Sequence, residues 1–213
     1  MSQATSAPER EDGPRRTWRP RIVHQQPTPD PAAVERASAA LLEALGLDTR
    51  EDGLAETPRR MASAYLELLT VPEFELTTFP NDGYDELVLV RDIQLRSVCE
   101  HHLLPFVGVA HVGYLPGHRI AGLSKLARMV DFHARRPQTQ ERLTQQIADH
   151  LSRQLEPRGV GVLISAEHTC MSLRGVRAVG AHTLTSALYG QLREDPASRA
   201  EFLALARPEG GSR

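Results

Sequence analysis

The spacing of apolar residues predicts two helices near the start of the chain. The dipeptide Asp30-Pro31 is a typical helix start, and apolar residues then recur every three or four positions until Gly46. The dipeptide Thr57-Pro58 repeats this signal ahead of a second apolar stripe over residues 61–69. Residues 1–29 hold five prolines and little apolar periodicity, so we expect a disordered tail ahead of the helices.

The middle of the chain changes to a period of two, which is typical of β-strands. Two long strand candidates, over residues 87–95 and Phe106–Tyr114, are separated by a proline and are expected to pair as a hairpin. Two helices follow them. The pattern predicts one that is capped by Ser124 and stopped at Arg136-Pro137, and one that starts at Thr139.

Period-two spacing returns near Gly161, and a further strand candidate covers Thr183–Tyr189 before a short terminal helix. The order of helices, two strands, two helices and two strands favours an α+β fold, in which helices cover one face of an antiparallel sheet. We therefore expect one domain over residues 30–206, with tails at 1–29 and 207–213.

Composition and charge exclude several classes of protein. The 213 residues are 40% hydrophobic and 24% charged, which argues against a disordered or fibrous chain. A formal net charge of −2 argues against a nucleic-acid partner held by bulk charge. No segment reaches about 18 uncharged apolar residues, and the first residues lack the apolar core of a secretory signal. We therefore expect no membrane partner and a cytoplasmic location, and two cysteines are too few for a disulfide scaffold.

Both cysteines lie at predicted strand ends, close to histidines. Strict alternation from Val160 places His168 and Cys170 on the apolar face of their strand. Thiolate sulfur and imidazole nitrogen are preferred zinc ligands, and Cys99, His102 and the distant Cys170 offer three of them. Three protein ligands leave one position of a tetrahedral site open, as in catalytic zinc sites, where the pKa of water falls to about 7.

Simpler explanations of these residues stay open. Two cysteines are also common as small buried hydrophobes, and His101 can be an ordinary surface imidazole. Neighbouring residues in an extended segment point in opposite directions, so His101 and His102 do not both ligate with the same ease. We expect one of them to bind metal and the other to carry protons or contact substrate.

Basic residues form a second candidate site, which suits an anion. Ser124 and Lys125 open a predicted helix with Arg128 one turn further on, where free N–H groups and the helix dipole favour phosphate. Lys125 is the only lysine among 25 basic residues, which indicates a position where a planar guanidinium does not fit. Arg174 and Arg177 follow the second cysteine. With 24 arginines, a solvated surface charge is the ordinary alternative for each.

Gln140 and Glu141 open the next predicted helix, and two interpretations stay open. A glutamate in a first turn is favourable to the helix dipole. An amide beside a carboxylate can also recognise the donor and acceptor edge of a purine. There is no Walker motif, so a nucleoside triphosphate is expected to be held by side chains and a helix terminus.

Three blocks of sequence resemble the signature of one enzyme family. They cover residues 97–116, 120–147 and 166–177, and they begin SVCEHH, IAGLSK and AEHTCM. They are similar to GTP cyclohydrolase I, the first enzyme of tetrahydrofolate and pterin biosynthesis, over residues 30–206. The resemblance implies the tunnelling fold, a four-stranded antiparallel sheet with two helices on one face, preceded by N-terminal helices. It also implies a toroidal homodecamer of two pentamers, with active sites between subunits.

The resemblance also implies roles for individual residues. The family's zinc ligands fall on Cys99, His102 and Cys170. The implied catalytic residues are His101, His168 and Ser124, the last near the ribose. The implied purine and triphosphate contacts are Gln140, Glu141, Lys125, Arg128, Arg174 and Arg60.

The implied reaction is the attack of water on C8 of GTP, loss of formate, and rearrangement of the ribose to give 7,8-dihydroneopterin triphosphate. His101 and His168 are implied to move protons, and Glu141 to hold the guanine. Two other functions stay open. One is a nitrile reductase with the same fold, which needs a cysteine nucleophile and a nicotinamide cofactor; the other is a non-catalytic zinc protein or regulatory subunit, which predicts a degraded site.

Overall fold

The computed structural model describes residues 28–207, which form seven helices and seven strands. The predicted tails over 1–29 and 207–213 lie outside this range except for residues 28, 29 and 207. In chain order the elements are α1 (Pro31–Ala44), α2 (Thr57–Leu69), β1 (Thr78–Pro80), β2 (Val88–Cys99), β3 (Pro105–Leu115), β4 (Arg119–Ala121), α3 (Leu123–Ala134), β5 (Pro137–Gln138), α4 (Gln140–Leu155), β6 (Gly159–His168), α5 (Thr169–Ser172), β7 (Thr183–Gly190), α6 (Gln191–Glu194) and α7 (Pro196–Leu205).

Side-chain caps start two of the predicted helices. The Asp30 carboxylate accepts hydrogen bonds from two backbone N–H groups of α1, and the Thr139 hydroxyl accepts one from the Arg142 N–H of α4. The prediction that Ser124 caps α3 is wrong. Gly122 holds the cap position, where its carbonyl accepts from the Lys125 N–H, and Ser124 lies inside the first turn.

The main sheet has the strand order β5-β2-β3-β6-β7. The predicted hairpin of β2 and β3 is confirmed, and β3, β6 and β7 continue the antiparallel pairing. Strand β5 is only two residues long and pairs in parallel with the end of β2, so that Cys99 lies opposite Gln138. The four long strands are those that the alternation predicts, whereas a two-residue strand has no readable periodicity.

Helices α3 and α4 cover one face of the sheet. Helix α3 packs on β2 and α4 packs on β6 and β7, and Leu126 of α3, Ile147 of α4 and Val162 of β6 are fully buried in one continuous core. Helix α7 packs on the opposite face. Its Phe202 ring lies over Gly161, where an added Cβ would come within 2.8 Å of the ring, so the absence of a side chain there seats the helix. The α+β class is therefore confirmed, with two helices on one face and α7 on the other.

In the described range, no helix is long and apolar enough to cross a membrane.

Candidate metal centre and active site

Three potential metal ligands meet at the end of strand β2. The sulfur atoms of Cys99 and Cys170 and one ring nitrogen of His102 all lie within 4.8 Å of one another. Cys99 is buried, Cys170 is half-buried and His102 is exposed. The Cys99 Sγ–His102 Nδ1 distance is 4.0 Å, close to the separation of about 3.6 Å between two ligands of a tetrahedral zinc ion. The donor set therefore fits a metal ion with one open position.

A tight turn after β2 selects His102 for this group. The Leu103 N–H donates to the Cys99 carbonyl at 2.8 Å, which closes one helix-like turn and places residues three apart on the same side. The expectation of an extended segment at this point is therefore wrong. His101 points elsewhere in the turn: its Nδ1 is 3.9 Å from Cys99 Sγ, but its side chain is 66% exposed and it is not part of the three-ligand group.

Cys170 reaches the centre from a one-turn helix and not from a strand. Strand β6 ends at His168, and the Thr169 hydroxyl donates to the Pro105 carbonyl at 2.5 Å, where the chain turns into α5. The prediction that strict alternation continues to Cys170 is therefore wrong. Burial, followed by the proximity of Cys99, raises the pKa of the Cys170 thiol. Two sulfurs this close ionise together only when a cation lies between them.

His168 lies beside the metal group and is held on two sides. Its ring stacks on Phe106 with centroids 4.5 Å apart and planes 10° apart. Its Nε2 lies 2.9 Å from the Gln140 Oε1. Burial lowers the pKa of His168, and the charge of Glu141 opposes this shift. The imidazole is thus rigid and favours its neutral form.

An open cavity of about 760 Å³ begins next to this centre and follows α4. The lining of this cavity includes Glu100, Glu141 and Arg142. It also includes Tyr189 and Asp149, and the Tyr189 hydroxyl donates to the Asp149 carboxylate at 2.6 Å. Glu141 is exposed to this cavity, so its carboxylate is free to accept hydrogen bonds from a bound molecule. The cavity is therefore the natural place for a substrate base.

Sequence reasoning missed the ion pair that fastens the metal-binding turn. Arg142 contacts Glu100 at 2.5 Å and also donates to the Gln138 side chain and the Pro137 carbonyl. Glu100 in turn lies 3.8 Å from His101. Glu100 could have been singled out because it lies next to two histidines in the sequence. Nothing in the sequence distinguishes Arg142 from the other arginines.

The predicted phosphate-binding residues of α3 lie at the other end of the sheet. Just before α3 begins, the Ala121 N–H donates to the hydroxyl of Tyr114. At the other end of α3, the carbonyl of its last residue, Ala134, accepts from the hydroxyl of Ser97, which is two residues from Cys99. Ten residues of helix separate Ser124 from Ala134, which corresponds to about 15 Å. Lys125 and Arg128 lie about 14 and 9 Å from Ala134 on the same scale, so within one chain Ser124 and Lys125 are remote from the metal group and Arg128 lies midway along the helix.

The remaining predicted residues are divided between the two ends. Arg174 is exposed and close enough to Cys170 for its charge to oppose the rise in the thiol pKa. Gln140 is on the metal side but only 1% exposed. Arg60 is exposed on α2. The structure thus brings these predicted residues together at the metal end: Cys99, His101, His102, Gln140, Glu141, His168, Cys170 and Arg174.

Fold and site together define an α+β protein with a Cys-His-Cys group that can bind a metal beside an open cavity. A model of the GTP cyclohydrolase I family matches residues 34–207. The chain belongs to this family.

Relatives with this name cover most of the chain. The GTP cyclohydrolase 1 of Streptomyces avermitilis is 57% identical over 182 residues, which are 83% of this chain and 90% of that protein. That of Mycobacteroides abscessus is also 57% identical, over 83% of this chain and 89% of its own length. The solved structure of the archaeosine synthase QueF-Like in the apo form has a TM-score of 0.41 and 16% sequence identity to this chain. The match covers 52% of this chain and 97% of the solved one. This likeness is too weak to define the fold.

Proposed function

We propose that the chain converts GTP to 7,8-dihydroneopterin triphosphate with release of formate, the first step of tetrahydrofolate and pterin biosynthesis. One observation carries this assignment: Cys99, His102 and Cys170 converge beside Glu100, which lines an open cavity together with the exposed Glu141. Family membership supports the same reaction, because the relatives that match most of the chain are named GTP cyclohydrolase 1.

Zinc is the metal that we assign to this group. Two thiolates and one imidazole are the donor set that zinc prefers, and three protein ligands are typical of its catalytic sites. When bound, zinc supplies Lewis acidity that makes water a nucleophile near neutral pH. The other steps are carried by side chains of this chain.

Protons are moved by two histidines and the base is held by one carboxylate. His168 is rigid beside the metal group, and His101 is exposed next to Glu100, so both suit proton transfer to and from the ring nitrogens of guanine. Glu141 accepts hydrogen bonds from the guanine N–H groups and so directs C8 toward the metal. Ser124 contacts the ribose. Arg174 binds the triphosphate.

The proposed assembly is a homodecamer of two pentamers in which each protomer has the tunnelling fold. Lys125 lies about 14 Å and Arg128 about 9 Å along α3 from Ala134 at its metal-side end, and this separation supports a neighbouring copy as the source of these phosphate contacts. Strand β7 is at the edge of the sheet and carries Leu184, which is 63% exposed. An apolar open edge of this kind favours pairing with a second chain. Arg60 is assigned to the same composite phosphate site.

We propose a cytoplasmic location, which the chemistry of the ligands supports. Cys99 and Cys170 bind metal only as reduced thiolates, and the cytosol keeps thiols reduced.

Incubation of the purified protein with GTP tests the proposed reaction. We expect formate and a fluorescent pterin to form in equal amounts, to stop on addition of a chelator, and to resume when zinc is returned. A nitrile reductase would instead consume a reduced nicotinamide with a nitrile substrate. Stoichiometric zinc without turnover of GTP would indicate the non-catalytic zinc protein.

Removing the Lys125 ammonium is expected to weaken GTP binding. A charge-assisted hydrogen bond to phosphate contributes about 1.5–3 kcal/mol, so Lys125→Ala should raise KM for GTP by about 10- to 100-fold with a smaller fall in kcat. Steady-state kinetics of formate release measures both constants. Arg36→Ala removes an exposed cation of α1 and serves as the control, with unchanged constants. An unchanged KM in Lys125→Ala would exclude this residue from the phosphate site.

A further inference from the structure

The side-chain amide of Gln140 is buried and fully hydrogen-bonded within the chain. Its Nε2 lies 3.2 Å from the Ile164 carbonyl, 2.9 Å from the Thr183 carbonyl and 3.1 Å from the Thr185 hydroxyl. Its Oε1 lies 2.9 Å from the His168 Nε2. With 1% of the residue exposed, no part of this amide is left for a ligand in the cavity.

The two backbone carbonyls determine which way the amide faces. A carbonyl oxygen only accepts hydrogen bonds, so the atom that faces Ile164 and Thr183 must be the NH₂ group. The reverse orientation would place the amide oxygen against these two carbonyl oxygens with no hydrogen between them. The Gln140 oxygen therefore faces His168.

Two threonines beside the amide have hydroxyl directions that agree with this orientation. The Thr144 hydroxyl donates to the backbone carbonyl of Gln140 at 2.7 Å. It must therefore accept from the Thr185 hydroxyl, which is 2.6 Å away. Thr185 has then given its hydrogen and accepts from the Gln140 NH₂ group. All hydrogens of the cluster are thereby assigned, and none of them can be supplied to His168.

We propose that Gln140 is a positioning residue that holds His168 as the tautomer with hydrogen on Nε2 and the electron pair on Nδ1. The amide oxygen accepts, so His168 Nε2 must donate. The stacked Phe106 ring prevents the imidazole from turning over. Nδ1 makes no hydrogen bond to residues 28–207, so it is the ring atom that accepts and returns a proton in the reaction.

This role differs from the purine contact that the resemblance implies for Gln140. Of the pair Gln140 and Glu141, only Glu141 is exposed to the cavity. The part of the inference that concerns turnover rests on the proposed GTP reaction, whereas the tautomer is a property of the protein alone. The two parts can therefore fail separately.

The tautomer is read directly by nitrogen-15 NMR of the zinc-loaded protein with ring-labelled histidine. The His168 signals are assigned by their loss in His168→Gln, at about pH 8 and without GTP, well above the ordinary imidazole pKa of about 6.5. We expect a single tautomer with hydrogen on Nε2 in the native chain, and a mixture of both tautomers in Gln140→Met, which keeps the volume but removes the acceptor. Hydrogen on Nδ1 in the native chain would overturn the proposal.

Kinetics separates positioning from substrate contact. In Gln140→Met we expect kcat to fall by about 10- to 100-fold, part of the roughly 10²–10⁴ that a positioned acid or base supplies, with KM for GTP within about twofold. A rise in KM at constant kcat would instead assign Gln140 to the purine. Thr144→Val removes a buried hydroxyl of the same cluster and is the control for general loosening, with the native tautomer and native kcat expected. A native protein that holds the Nε2–H tautomer but leaves GTP unchanged would refute the proposed reaction and keep the hydrogen assignment.

Discussion

Cys170→Ala is expected to lose the metal and the activity together. The substitution leaves Cys99 and His102 as the only ligands of the group, and two ligands do not hold zinc against exchange with solvent. The metal's Lewis acidity contributes several kcal/mol to the reaction, so turnover of GTP should fall by at least about 1,000-fold. Metal content by mass spectrometry and formate release by assay are measured on the same sample.

A matched control lies two residues further along α5. The Ser172 hydroxyl is buried with no hydrogen-bond partner among the described residues, so Ser172→Ala removes one side-chain atom from the same short helix without loss of an interaction. We expect this variant to keep full zinc and full turnover. Retention of stoichiometric zinc in Cys170→Ala, or turnover that survives without zinc, would contradict the assignment of this thiol as a ligand.

Two variants that are each impaired at low GTP concentration are expected to restore activity when they assemble together. Cys170→Ala damages the metal end of the site, and the double variant Lys125→Ala, Arg128→Ala damages the phosphate end, at positions about 14 and 9 Å along α3 from Ala134. If each site takes one end from each of two neighbours, random assembly at equal amounts leaves about a quarter of the sites with both ends intact. Formate release at a GTP concentration far below the raised KM should reach about that fraction of the native rate.

The control pairs two defects at the same end. His168→Gln and Cys170→Ala both damage the metal side, so no site in their mixed assembly is complete and we expect no recovery. If the co-expressed Cys170→Ala and double variants show no more activity than the two measured separately, each chain carries its own complete site.

Local signals in the sequence were enough for most of the fold. The caps at Asp30 and Thr139 act over two or three residues, and the period-two pattern of β6 depends only on which face is buried. The convergence of Cys99 with Cys170 was one of two interpretations that the residues left open, since cysteines are also common as small buried hydrophobes, and the resemblance to the enzyme family favoured metal binding.

The incorrect predictions concern contacts between distant segments. Gly122 and not Ser124 caps α3, directly after the short ribbon of β1 and β4, which has no readable periodicity and whose Thr77 carbonyl accepts from the Gly122 N–H. Cys170 left the strand because Thr169 is bound to Pro105. Burial of Gln140 depends on carbonyl groups more than twenty residues away, which no local pattern encodes.

X-ray absorption spectroscopy of the purified, active protein at the zinc edge tests the metal centre most directly. The account predicts two sulfur neighbours at about 2.3 Å and two nitrogen or oxygen neighbours at about 2.0–2.1 Å, one of them from His102. The sulfur signal should fall by half in Cys99→Ala if any zinc is kept. A shell of nitrogen and oxygen alone, with activity intact, would contradict the proposed centre.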